Sequence, residues 1–328
     1  MATIDDVARF AGVSTKTVSR VLNGEPHVRP GLRNRVAEAV SLLEYKPNPA
    51  ARRLAGGRSS MIAYFYNNPT PSYIALIQEG AALRCRELGY HLVVEPIQLM
   101  GDERLATIER LVTALRPDGV FVIPPLCDDP ELLEALAILR LPTVRIAGTR
   151  SLEGWNIELP DAAGGRMVAE HLTGLGHRHI ATIGAPANHT SAVQRTIGFC
   201  AAMADAGLPV YDEHCETGEF DFWSGYKAAT KILATKVRPT AIFAANDEMA
   251  LGALRAIRES GLDVPGDISL VGFDDVPASA SSWPSLTTVR QPLRAIGQRS
   301  VDLICGHEND YAELAFELVV RESSKAPL

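Results

Sequence analysis

The chain has 328 residues, 46% hydrophobic and 22% charged, an ordinary soluble composition long enough for about two or three domains with an apolar core needing no disulfide or metal. Its five cysteines, Cys85, Cys127, Cys200, Cys215 and Cys305, are scattered without a C-x-x-C pair. The N-terminus has neither a basic nor an apolar leader, and no apolar run nears the ~20 residues of a membrane-spanning helix, so a reduced cytoplasmic protein without membrane contact is expected. The net charge of −7 conceals an asymmetry: residues 1–58 hold ten Lys and Arg against five Asp and Glu, whereas the rest holds 22 against 34. A small basic head on an acidic body points to a polyanion met by the head alone.

Thr3 with Asp6 three residues on reads as a capping box opening a helix that ends near Ala11, where Gly12 supplies a tight turn. Ser14 then caps a second helix, Thr15–Leu22. Two short helices joined through a glycine turn are a helix-turn-helix pattern. On the second helix Val18, Val21 and Leu22 share one side, while Thr15, Lys16, Ser19, Arg20 and Asn23 take the opposite arc. A merely solvated face would ordinarily include acids, and this one has none. Hydroxyls, an amide and two cations suit base edges and phosphates in a major groove.

A third helix is predicted roughly over 33–43. Asn48 then caps, and Pro49 begins, a helix of about eight residues, too short to hold without a partner. The small-residue stretch 56–60 closes the segment, giving a DNA-binding domain over 1–46, a hinge helix and linker over 47–58, and a ligand-binding body over 59–328.

In the body, strands are predicted at 61–66, 91–95, 119–123, 143–147, 180–184, 241–245 and 269–273. Helices such as 74–88, 105–115 and 162–175 fall between them. This alternation implies parallel sheets covered on both faces, and its extent implies two such units. Open parallel sheets bind ligands at the carboxyl ends of their strands. Asn67-Asn68-Pro69, Asn246-Asp247 and Asp274-Asp275 follow three of these strands. Each alone is an ordinary turn former, but their convergence on strand ends favours a polar ligand.

The runs Thr3–Ala8, Ala11–Ser14 and Thr17–Gly24, followed by Tyr45–Ala55, resemble the head of the LacI/GalR regulators. Asp161–Gly165, Leu175–Ile180, Arg195–Phe199, Phe243–Asp247, Val271–Asp275 and Pro284–Val289 continue the resemblance through nearly the whole chain. It implies a fold: an all-α helix-turn-helix head with a hinge helix, then an α/β body of two periplasmic-binding-protein-like lobes, linked by three crossovers, with a ligand between them. By the same resemblance Thr15, Lys16, Thr17, Ser19, Arg20, Asn23, His27 and Arg29 belong to the DNA contact. Asn48, Ala51 and Leu54 fall in a hinge that folds on the operator, with Leu54 as a minor-groove wedge. Leu32 stands where relatives carry a phosphate-binding threonine, and Arg29 is the candidate to compensate.

The ligand site carried over comprises Asn68, Ser72, Tyr73, Arg195, Phe220, Asn246 and Asp274, with Phe222 and Trp223 as other candidates for ring stacking. Ala147-Gly148 replaces the acid that many sugar-binding relatives carry after the fourth strand. The expected partners are palindromic operator DNA, a small polar, sugar-like effector and a second copy of the chain, with no cofactor or metal. A nucleophile elbow, phosphate loop and H-E-x-x-H zinc motif are all missing, which leaves catalysis the weaker reading. Release from DNA by the effector and tighter binding with it both fit the residues.

Overall fold

The structure, a computed structural model, describes residues 2–22, 28–43, 45, 59–97, 103–150, 154–307 and 313–327, and divides into two compact units, Met1–Ser59 and Ser60–Leu328. Asn23, His27, Asn48, Ala51, Leu54 and the expected hinge helix lie outside the described residues.

In the first unit, α1 (Ile4–Ala11) begins with the full capping box. The Thr3 hydroxyl accepts the Asp6 amide, and the Asp6 carboxylate accepts the Thr3 amide at 2.9 Å. Gly12 ends the helix in the left-handed region at φ 61°. Ser14 Oγ accepts the Thr17 amide and opens α2 (Thr15–Leu22). The third helix, α3, spans Pro30–Leu42, starting three residues before its predicted position, because Pro30 is suited to a first helical turn. Val7, Ala8, Ala11, Val18, Val36, Ala39 and Tyr45 form the core of this unit.

The second unit holds two sheets. The first, ordered β2-β1-β3-β4-β5, comprises β1 (Met61–Tyr66), β2 (His91–Pro96), β3 (Gly119–Val122), β4 (Thr143–Ile146) and β5 (Trp155–Ile157), all parallel. One face packs on α4 (Pro71–Leu88), and the other on α5 (Arg104–Leu115) and α6 (Pro130–Ile138). The second sheet, ordered β11-β10-β9-β8-β6-β7, contains β6 (Ile180–Gly184), β7 (Cys215–Thr217), β8 (Ala241–Ala244), β9 (Ser269–Asp274), β10 (Thr287–Arg290) and β11 (Glu317–Val319). Between α7 (Asp161–Gly174) with α8 (Thr190–Asp205) on one face and α9 (Phe222–Leu233) with α10 (Asp247–Glu259) on the other, this sheet is buried.

A short α11 (Pro277–Ser281) follows β9, and α12 (Leu293–Cys305) returns to the first sheet beside α4. The chain therefore crosses between lobes before α7, before α12 and again between α12 and β11. Two expectations need correction. The second sheet is not wholly parallel, since β11 pairs antiparallel to β10 at its edge. The strands β5, β7, β10 and β11, of three or four residues each, were not predicted; such runs are too short to show a period.

Helix pairing fixes the site. A Cβ on Gly165 of α7 would meet the Arg195 carbonyl oxygen at 1.8 Å, and one on Gly198 of α8 would meet the Ala162 carbonyl oxygen at 1.9 Å. Only glycine allows these helices to approach backbone to backbone, which sets Asp161, at the start of α7, against Arg195.

Candidate functional site

On α2, Val18 is buried against α1 and α3, leaving Thr15, Lys16 and Arg20 exposed and Thr17 and Ser19 half-buried. The Thr17 hydroxyl is shared with Ser14 Oγ at 2.9 Å, so its role in the turn is structural as well. Arg29 stands exposed at the start of α3 with no capping bond from its side chain, leaving its guanidinium unconstrained by the helix end. The described part of the head thus presents a cationic, hydroxyl-bearing face with no acid on α2.

In the body a cavity lies between the lobes at the carboxyl ends of both sheets. Asn68, Thr70, Tyr73 and Pro124 line it from the first lobe, and His189, Ser191, Arg195, Phe220 and Asp274 from the second. Its centre is an ion network. Arg195 Nε donates to Asp161 at 2.8 Å and Nη1 to the Ala245 carbonyl at 2.7 Å, with Asp274 Oδ1 at 3.4 Å. The guanidinium lies over the Phe273 ring, 3.8 Å from its centroid. Gln291 Nε2 donates to Asp274 at 2.6 Å.

Burial shifts every charge here. It raises Asp274 to about 7, opposed by Arg195. It raises Asp161 as well, again against Arg195. Burial works against the charge of Arg195, but Asp161 and Asp274 outweigh it and hold the guanidinium protonated. Burial also lifts the Tyr73 phenol, with the Asp274 charge adding to it.

His189 stacks on Phe220 with ring centroids 4.4 Å apart. Burial and then Arg195 push His189 down to about 4, so its ring is neutral, and its buried Nδ1 has no hydrogen-bond partner. Phe220 holds φ 64°, a conformation that costs energy in a residue with a Cβ. About 10 Å³ of the cavity accepts a water-sized sphere, roughly one water. Next to it, sharing Ser191, a wider chamber of about 390 Å³ opens between Ala147–Thr149 and Glu158–Ala163. Here Gly148 is pinned to Asn156, its amide donating to Oδ1 at 3.0 Å and its carbonyl accepting from Nδ2 at 2.8 Å.

Five of the seven expected ligand residues, Asn68, Tyr73, Arg195, Phe220 and Asp274, are therefore brought together. Asn246 is not at the cavity wall: its Oδ1 caps α10 through the Met249 amide, and its Nδ2 donates to the Phe220 carbonyl and the Thr70 hydroxyl, at 2.9 and 3.2 Å. Ser72, in the first turn of α4, is half-buried outside the lining. Trp223 is exposed on α9 beneath Arg255, and Phe222 packs edge-on against Trp223, so neither faces the cavity. The turn-former reading of Asn68 also holds, since its side chain accepts the Thr70 amide at 2.8 Å.

Thr70 falls in the 67–72 loop expected at the pocket, whereas Pro124, His189 and Ser191 were not anticipated. Ser191 precedes Arg195 by one helical turn, a spacing that marks it in retrospect. Nothing in the sequence separates His189 from an ordinary core histidine. Among the described residues no group of three or more His, Cys, Asp or Glu could hold a metal ion. His214 is buried and bonded to the Val237 carbonyl at 2.7 Å.

Residues 3–48 match the model of bacterial regulatory proteins of the lacI family, and residues 169–324 match a periplasmic binding protein-like domain. The chain is 34% identical over 344 residues to the HTH-type transcriptional repressor PurR of Mannheimia succiniciproducens, covering 99% of each. It superposes on the lac repressor dimer bound to operator and the anti-inducer ONPF with a TM-score of 0.79 and 33% identity, covering 99% of each chain. Against the transcriptional regulator CelR in complex with cellobiose the TM-score is 0.73 and the identity 29%, covering 99% of this chain and 100% of the other. A helix-turn-helix head joined to a two-lobed ligand-binding body makes this a DNA-binding transcriptional regulator. The chain belongs to the LacI family of bacterial regulators.

Proposed function

We propose that the protein is a repressor that binds a palindromic operator as a homodimer and is released when a neutral, polyhydroxylated small molecule occupies the cleft. The observation that carries the effector half is the Asp161–Arg195–Asp274 network beside a neutral His189 ring whose buried Nδ1 has no hydrogen-bond partner. Two acids around one arginine leave no net positive charge for an anion. Carboxylate and guanidinium together suit adjacent hydroxyls, each of which donates to one and accepts from the other, and the Phe220 and His189 rings suit an apolar sugar face. A similar regulator whose structure is a complex with cellobiose supports the same ligand class. Because the inner cavity holds about one water, its walls must part to admit a sugar ring.

DNA contact is assigned to Thr15, Lys16, Thr17, Ser19, Arg20 and Arg29 in the described part of the head, and to Asn23, His27, Asn48, Ala51 and Leu54 beyond it. Ligand contact is assigned to the five cavity residues, with Ser72 and Asn246 shaping the wall. Both partners imply work in the cytoplasm, without catalysis. The test selects an operator from random duplexes with full-length protein, then repeats gel shifts with neutral mono- and disaccharides and, in parallel, with anionic metabolites. A sugar that weakens binding at fixed salt supports the reading; one that tightens it overturns release, and a response to anionic metabolites alone overturns the ligand class.

A further inference from the structure

Among the described residues, two hydrogen-bond bridges join the lobes across the cleft. In the first bridge, Thr70 of the first lobe donates to the Phe220 carbonyl at 3.4 Å and accepts from Asn246 of the second at 3.2 Å. In the second bridge, Thr190 at the start of α8 donates to Asp128 Oδ2 at 2.6 Å. Asp128 ends the short helical turn 126–128 of the first lobe and is 8% exposed. The same carboxylate accepts the Thr149 hydroxyl at 2.8 Å, the Thr149 amide at 3.0 Å and the Arg150 amide at 3.2 Å, and Arg145 Nη1 lies 4.0 Å away.

This is a held acceptor with one bond reserved for the opposite lobe. Within the first lobe it fixes the 149–150 turn; the Thr190 bond is its reach across the gap. A charge-assisted O–H···O⁻ bond is roughly twice as strong as a neutral one, so this single 2.6 Å bond matches the two longer bonds on the Thr70 side. Burial raises the Asp128 carboxyl, but the bonds from Thr190, Thr149 and Arg150 outweigh it and hold the group below its ordinary range, ionised at neutral pH. Neither Asp128 nor Thr190 lines the cavity, yet Thr149 and Ser191, their immediate partner and neighbour, line the wider chamber.

We propose that Asp128 and Thr190 are positioning residues that form a latch between the lobes, setting how often the cleft opens without touching the effector. Lobe closure then has a built-in bias, and a ligand shifts the regulator only by what it adds to that bias. Losing the bond lowers the closed-to-open ratio about tenfold. The latch rests on the effector reading of the cleft only for its regulatory consequence.

Hydrogen exchange of the full-length protein, with no ligand added, tests it. Thr190→Val keeps the shape and removes the donor, whereas Thr190→Ser keeps the hydroxyl. The expected result is about tenfold faster exchange in Thr190→Val confined to cleft-facing segments 66–73, 122–127 and 216–222, wild-type exchange in Thr190→Ser, and no added effect of Thr190→Val in an Asp128→Asn background. Unchanged exchange in Thr190→Val overturns the latch. So does exchange raised equally in the remote strands β2 and β11, which marks a general loss of fold. Altered exchange with no sugar response in gel shifts leaves the latch standing and counts against the effector reading instead.

Discussion

Replacing Arg195 with methionine probes the buried charge set at its centre. The variant keeps an unbranched apolar stem over the Phe273 ring and removes the donors to Asp161, Ala245 and Asp274. Breaking a buried pair by deleting one partner costs ~3–5 kcal/mol, because the remaining charge is left without compensation. Asp161 can escape by taking up a proton. Holding an ordinary carboxyl protonated at pH 7 means crossing about three pKa units at 1.36 kcal/mol each, or ~4 kcal/mol, which agrees with the first figure. For a domain of this size that predicts a Tm roughly 10 °C lower at pH 7.

The pH dependence follows from the same group. In the variant the folded-state pKa of Asp161 lies above its unfolded value, so its stability contribution is present in acid and lost as pH rises. The deficit should shrink to ~1–2 kcal/mol at pH 5. Thermal unfolding followed by circular dichroism at both pH values measures it. A loss under ~1 kcal/mol at pH 7, or one independent of pH, would refute the reasoning. Adding Asp161→Asn to Arg195→Met should recover part of the loss by removing the stranded charge.

Gly165→Ala would place a methyl 1.8 Å from the Arg195 carbonyl oxygen and force α7 and α8 apart, so urea denaturation should show a loss of ~1–3 kcal/mol or more together with a weakened sugar response; an unchanged midpoint contradicts the backbone-to-backbone packing. Asp274, raised to about 7, contributes stability that is intact below its unfolded pKa and declines as pH climbs through neutrality. Asp274→Asn should flatten that slope between pH 5 and 8, and an identical slope in the variant would assign the titration to another group. Arg20→Ala should weaken specific operator binding by ~1–3 kcal/mol if the side chain pairs with a base, and a specificity ratio unchanged at fixed salt would place Arg20 on phosphate.

Residues that act through backbone geometry were easiest to read. Thr3, Asp6, Gly12 and Ser14 mark α1 and α2 to the residue, because caps and left-handed turns depend on neighbours three or four positions away. Six of the seven predicted strands are interior to their sheets, and the seventh, β2, is a half-buried edge strand. Of the strands that escaped notice, β5, β7 and β11 are edge strands and β10 lies one place in, and a distant partner decides them: β11 forms because residues 317–319 find β10, nearly thirty positions earlier. Likewise α3 starts at Pro30 rather than near Arg33 because a proline is acceptable in a first turn, and the surrounding polar residues carry no period.

The cleft was legible to a different extent, and Asn246 shows why. Its place at a strand end in a landmark motif marks it as functional, yet its two side-chain atoms are consumed by Met249, Phe220 and Thr70. The residue joins a helix cap in one lobe to a threonine in the other, so its influence on a ligand passes through the position of Phe220. A motif singles out a residue without saying whether it touches the ligand or holds the wall that does. His189 is the converse case. Its stacking on Phe220 exists because the loop after β6 and the loop after β7, thirty residues apart in the chain, meet at the end of one sheet, and its orphaned Nδ1 is buried there. In a two-lobed protein the contacts that matter most join segments with no fixed spacing in the chain, so they become visible only once the lobes are closed on one another.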